Sequence, residues 1–343
     1  MQRYCSCGNR NYAFRHRYMA HKNAKLRLIQ AGAMALCLLV TGSAFGQQQY
    51  FNTVEAAKNG WFAEQNRSAT WYLAQHERMA RAINALQPQR PGVVDAYVLS
   101  IGLDSDAVFA RESSEAAKIL ARRYRAAGRT VYLTAGADDT ATGAPQGSPS
   151  SLATALAAIA DKMDRKEDVL ILFATSHGDP VSGLAYRDRE NAAGMIAPQR
   201  LADLLDGIGV KRRMVLLSAC YSGIFIPLLT NDQTVIVTAA SSQRTSFGCA
   251  PGNDWTFFGD ALMNHALRKP QKFDAAIAEA TGLIAQWEDA LKLKPSRPQL
   301  FIGENARSWL DVLENKMPAT ASAKVGRPAI TTDSSGPDPS RAQ

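Results

Sequence analysis

Two aliphatic runs, each stopping abruptly at a reactive side chain, constrain this chain more than any other feature. Val-Leu-Ile-Leu-Phe-Ala-Thr, residues 169–175, runs into Ser176-His177-Gly178. Met-Val-Leu-Leu, residues 214–217, runs into Ser218-Ala219-Cys220-Tyr221-Ser222-Gly223. Short, nearly unbroken apolar runs bounded by turn residues predict strands buried on both faces, and such strands belong to a parallel sheet covered by helices. Sheets of this kind carry their chemistry just past the carboxyl ends of the strands. A His-Gly after one strand and a Cys after another therefore predict a Cys-His site at the sheet's rim.

The pattern around these runs alternates strand and helix, as a doubly wound sheet requires. Strands are expected over residues 93–102, 129–135, 234–240 and 299–302. Helices are expected over 106–127, from a Ser150 or Ser151 cap to 163, and over 198–205, 256–267 and 273–293. Residues 183–196 suit a small hairpin, and 136–149 a polar loop near the strand tips. Upstream, residues 47–91 form an accessory helical segment in which Trp61, Phe62, Trp71, Tyr72, Met79, Ile83 and Leu86 recur at three-to-four spacing, expected to pack on the main domain at 92–316. From Met317 the chain is Pro, Ser, Ala, Thr and Gly with almost no large apolar residue, so 317–343 is expected to be a disordered tail.

Charge excludes one function class. The formal net charge is +8, but residues 1–46 hold seven of the 39 Lys/Arg and no Asp/Glu, leaving 32 basic against 31 acidic side chains. A nearly neutral body gives no electrostatic basis for binding nucleic acid. The basic leader has a signal peptide's anatomy: Lys22, Lys25 and Arg27 precede an apolar stretch from Leu28 to Phe45, and Ala44-Phe45-Gly46 supplies small residues for cleavage before Gln47. Met19 is the alternative start, and a retained anchor is the alternative to cleavage. With the leader removed, no stable membrane span is expected and the location is periplasmic or secreted. Cys220 and Cys249 are then the cysteines left in an oxidising setting, where a bridge competes with free thiols. His76, His177 and His265 are scattered, so neither a metal nor another cofactor is expected.

The chemistry of the pair is definite. A thiolate is the nucleophilic form of cysteine and needs a nearby base, and His177 ends a predicted strand. The ordered set Ser176-His177-Gly178, Ser218 to Gly223, Val-Thr-Ala-Ala at 237–240, Ser246-Phe247-Gly248-Cys249 and Trp255 to Asp260 resembles the legumain-type cysteine peptidase family in its bacterial branch, over roughly residues 94–303. The resemblance implies a caspase-like three-layer α/β/α sandwich with a mostly parallel six-stranded sheet. It also implies an exported cysteine endopeptidase that acts on peptide or protein substrates through a thioester acyl-enzyme. Cys220 would be the nucleophile, His177 the base, and the Gly178 and Cys220 N–H groups the oxyanion donors. Substrate-binding positions fall on Arg111, Ser218 and Asp260, implying a pocket for Asn or Asp. The sequence departs from the family at Ser218 and Arg244, where the family has glutamates. A transamidase or peptide ligase using the same dyad, and a catalytically idle binding module, are the competing readings.

Overall fold

A computed structural model describes residues 62–136, 143–250 and 252–330. The leader at 1–46 and the start of the accessory segment lie outside the described residues. Six strands form the main sheet: β2 (Ala96–Gly102), β3 (Thr130–Thr134), β4 (Val169–Thr175), β8 (Arg213–Ser218), β9 (Thr234–Thr238) and β10 (Gln299–Ile302). Their order is β10-β9-β8-β4-β2-β3, parallel throughout except for β10, which pairs antiparallel with β9.

Every residue of β2, β4 and β8 is buried, as the aliphatic runs require. Alternate side chains feed two separate cores. Leu99, Ile101, Leu170, Leu172, Val215 and Leu217 join one core with helices α3 (Pro149–Lys162) and α4 (Pro198–Gly207). Val98, Ile171, Phe173, Met214 and Leu216 join the other, with helices α2 (Ala107–Arg123), α6 (Phe273–Ala290) and α7 (Ala306–Glu314). The period-2 exposure of a strand thus becomes a period-2 division between two helical layers, and the three-layer α/β/α arrangement follows. α1 (Ala69–Asn84) and the single turn α5 (Ile226–Leu229) are further α-helices among the described residues.

The chain enters the sheet at β2, moves outward to β3, and then crosses back to β4 on the other side of β2. The segment leaving β2 goes to α2 on one face, whereas the chain beyond β4 reaches α4 on the other. A crevice opens between diverging connections of this kind, at the carboxyl ends of the two strands where the order reverses.

Several elements differ from the sequence reading. Expected as part of a helical segment, Phe62–Glu64 (β1) pairs instead with β7 (Ala192–Ile196); with β6 (Gly183–Asp188) and the two-residue β5 (Gly178–Asp179) they form a second sheet in the order β1-β7-β6-β5. α1 buries none of its residues, and Tyr72 is 49 % exposed, so the aromatic stripe is only partly a packing face. The cap of α3 is Ser148, whose hydroxyl accepts from Ser151 N–H, two or three residues earlier than expected, because Pro149 takes the first helical position. Gly259–Ala266 is a π-helix within the helix expected at 256–267.

The expected tail needs a correction as far as Ile330. Val325 accepts from Trp255 Nε1 at 2.9 Å and Asn264 Nδ2 at 3.1 Å, and donates to Asn264 Oδ1 at 3.0 Å; Ala329 N–H donates to Asp260 Oδ2 at 2.8 Å. The strap is anchored through its backbone by polar side chains of the body, a source of order that its own composition does not display.

Candidate active site

β4 and β8 end side by side. Thr175 and Ser218 are register partners on the last rung of their ladder, and Ser176 N–H continues it by donating to Ser218 O at 3.1 Å. His177 and Cys220 each stand two residues beyond that rung. Past it, the backbones nearly touch: a Cβ placed on Gly178 would lie 2.9 Å from the Cys220 carbonyl carbon and 3.2 Å from its nitrogen. Gly178 is thus required by Cys220's own main chain, not only by an approaching substrate.

The turn carrying Cys220 is held under strain. Tyr221 adopts φ 57° and ψ 13°, the left-handed region that bulky residues avoid. Its N–H donates to Arg244 O at 2.8 Å, Gly223 N–H donates to Ala240 O at 2.9 Å, and the Ser222 hydroxyl turns back to Ala219 O at 2.8 Å. The sulfur of Cys220 faces Ser246: it receives Ser246 N–H at 3.3 Å and lies 3.7 Å from Ser246 Oγ and 3.6 Å from Ser246 O. One residue thus offers a proton acceptor to the thiol and two donors to a thiolate. Cys220 and Cys249 are both buried and neither is in a disulfide, so the sulfur is not consumed in a bridge.

His177 is fixed from α2. Its Nε2 lies 3.3 Å from Asp106 Oδ2, and its ring meets the edge of buried Phe109 with centroids 5.0 Å apart. Asp106 occupies the N-cap position of α2, where an aspartate ordinarily accepts a backbone N–H of the first turn. It makes no such cap bond. One carboxylate oxygen goes to His177; the other accepts from Arg187 Nη2 at 2.7 Å. Arg187 also grips Asp104 through Nε at 3.0 Å and Nη2 at 2.9 Å, and Asp104 is almost fully buried. The His177 bond, aided by Arg187 and opposed by burial, holds the Asp106 carboxyl below its ordinary range. Both aspartates lie just past the end of β2 and His177 just past the end of its neighbour β4, the two strands at which the order reverses.

Donor atoms of Asp104, Asp106 and His177 lie within 4.8 Å of one another, close enough to enclose a metal ion. The Arg187 guanidinium already supplies positive charge there, with three hydrogen bonds to the two carboxylates. The cluster is therefore satisfied as an Arg-Asp-His network.

The proposed substrate-binding residues differ in burial and partners. Ser218 is buried, its hydroxyl 3.1 Å from Thr256 Oγ1. Asp260 is also fully buried, and its carboxylate takes Asn264 Nδ2 and Ala329 N–H at 2.8 Å, with His265 Nε2 at 3.7 Å. Arg111, 40 % exposed, pairs with Asp254 at 3.3 Å and donates to Asn253 O. The sequence reading missed Asp106, Arg187 and Ser246 as parts of the site. Asp104-Ser105-Asp106, two acids shortly after a buried strand, offered a signal for the first, and the Ser246-Phe247-Gly248-Cys249 motif marked the segment of the last.

Residues 151–290 match the model of the Peptidase C13 family, a span that includes His177, Cys220 and Ser246 but not Asp106. Among solved structures, caspase-1 from Spodoptera frugiperda matches at 12 % identity with a TM-score of 0.40, covering 64 % of this chain and 89 % of that one. No curated protein sequence matches.

Proposed function

We propose, starting from the Peptidase C13 domain carried by residues 151–290, that the protein is a cysteine peptidase whose nucleophile is Cys220 and whose base is His177. The observation that carries this reading is the joining of two strand ends. A thiol and an imidazole lie two residues past one β4–β8 rung, the thiol cradled by Ser246 and the imidazole anchored by Asp106. His177 accepts the Cys220 proton, Asp106 stabilises the resulting imidazolium, and Ser246 N–H stabilises the thiolate. Attack on the scissile carbonyl gives a tetrahedral oxyanion, for which the Gly178 and Cys220 N–H groups are the proposed donors; each such donor contributes about 3 kcal/mol in well-studied hydrolases. Collapse transfers the imidazolium proton to the leaving amine and leaves a thioester, which water then hydrolyses with His177 again acting as base.

Export belongs to the same proposal: cleavage before Gln47 would deliver the enzyme to the periplasm or beyond. The activity is tested by incubating the purified protein with a proteome-derived peptide library and identifying new termini by mass spectrometry. Cleavage should appear with the wild type and vanish in both Cys220→Ala and His177→Ala. Cleavage that survives in Cys220→Ala, or is absent from the wild type altogether, overturns the assignment.

A further inference from the structure

We propose that Glu112 is a positioning residue for the Cys-His pair, its one carboxylate holding Thr175 directly and Ser218 through Thr256, the two residues of the rung from which both reactive side chains project. The inference rests on the peptidase reading and adds a residue to it. Glu112 lies on α2 six positions beyond Asp106 and is completely buried. Thr175 Oγ1 donates to its Oε1 at 2.9 Å and Thr256 N–H donates to its Oε2 at 2.8 Å. The Ser218 hydroxyl lies 3.1 Å from Thr256 Oγ1, so the carboxylate reaches that side of the rung through Thr256. Thr175 is two residues before His177, Ser218 two residues before Cys220, and they face each other across the ladder. One helix therefore reaches the site twice, holding the imidazole through Asp106 and the rung beneath it through Glu112.

Burying a carboxylate is expensive, and an apolar side chain of similar volume usually serves a core at least as well. Burial does push this carboxyl's pKa up, opposed by its hydroxyl and N–H donors. The fold also reserves room for it. A Cβ on Gly259 would lie 2.9 Å from Glu112 Cγ and closer still to the carboxylate, so an alanine there must displace the acid. Without the tie, Thr175 and Ser218 keep their backbone ladder, but the two turns beyond lose a common anchor to α2.

The test uses Glu112→Gln and Gly259→Ala. The amide keeps the shape and its oxygen stays on Thr256 N–H, but its NH2 replaces the oxygen that accepts from the Thr175 hydroxyl, so the charge-assisted tie to the rung is lost. Gly259→Ala shifts the acid while keeping it. Steady-state rates on the best-cleaved library peptide are referred to the folded fraction measured by circular dichroism. We expect kcat to fall at least about 10-fold in each variant with KM within about twofold, the signature of a group acting on the reaction rather than on binding. If folded Glu112→Gln keeps wild-type kcat while Cys220→Ala is inactive, Glu112 is only a core residue and the inference falls. If Cys220→Ala is as active as the wild type, the peptidase reading itself fails, and this inference with it.

Discussion

Replacing Gly178 with alanine tests the contact between the two strand-end turns. The new Cβ would lie 2.9 Å from the Cys220 carbonyl carbon and closer to its oxygen, tighter than real Cβ contacts allow. Both obstacles are backbone, so no side chain can swing aside, and the turns must part by about 1 Å. A displacement of that size between reacting groups costs on the order of 100-fold in rate. The stability loss should stay within about 1–3 kcal/mol, the usual cost of overpacking, because the β4–β8 ladder below is untouched. Peptide cleavage and alkylation of Cys220 by iodoacetamide, each referred to folded protein from a urea titration, separate the two effects. A folded Gly178→Ala variant cleaving within threefold of the wild type would show that reactivity does not depend on this approach.

Asp106→Asn should lower kcat by about 10-fold or more, because the amide cannot stabilise an imidazolium as a carboxylate does. The folded-state pKa of Asp106 is depressed, so its contribution to stability is complete above the unfolded value, 3.8, and is lost as pH falls through the lower folded value. Urea titrations from pH 6 to pH 2.5 should show a shallower acid loss in the Asn variant; an identical slope contradicts the pairing. Arg187→Met leaves the buried Asp104 carboxylate without its cation and should destabilise the fold by about 2–3 kcal/mol in the same assay, held to that range by the 36 % exposure of the guanidinium. Truncation after Met317 strips Asp260 of Ala329 N–H, and Trp255 and Asn264 of Val325 O. It should cost about 2 kcal/mol, and an unchanged urea midpoint would mean the strap contributes nothing.

The central strands were legible because β4 and β8 are buried on both faces, and an unbroken aliphatic run of that length suits little besides a strand covered on both sides. For the same reason the placement of His177 and Cys220 at strand ends was legible. The second sheet was not, since β1 and β5 have three and two residues and draw their order from partners distant in sequence. Asp106 and Glu112 were hidden differently. Each is a polar residue at the start or in the body of an amphipathic helix, where local pattern indicates a cap or a solvated position, and only tertiary contacts show where the carboxylates point. The contacts of Asp260 with the strap were hidden in the same way: the acid takes Ala329 N–H, and Asn264 and Trp255 hold Val325 O, none of which local pattern displays.

The proposed chemistry depends most directly on the coupling of the Cys220 thiol to His177. Iodoacetamide alkylation, followed by peptide mapping to separate Cys220 from Cys249, measures that coupling at pH 6.5 without any knowledge of substrate. Cys220 in the wild type should alkylate at least about 10-fold faster than in folded His177→Ala, because the imidazole supplies the base and the counter-charge for the thiolate. Equal rates in the two proteins would contradict the pairing.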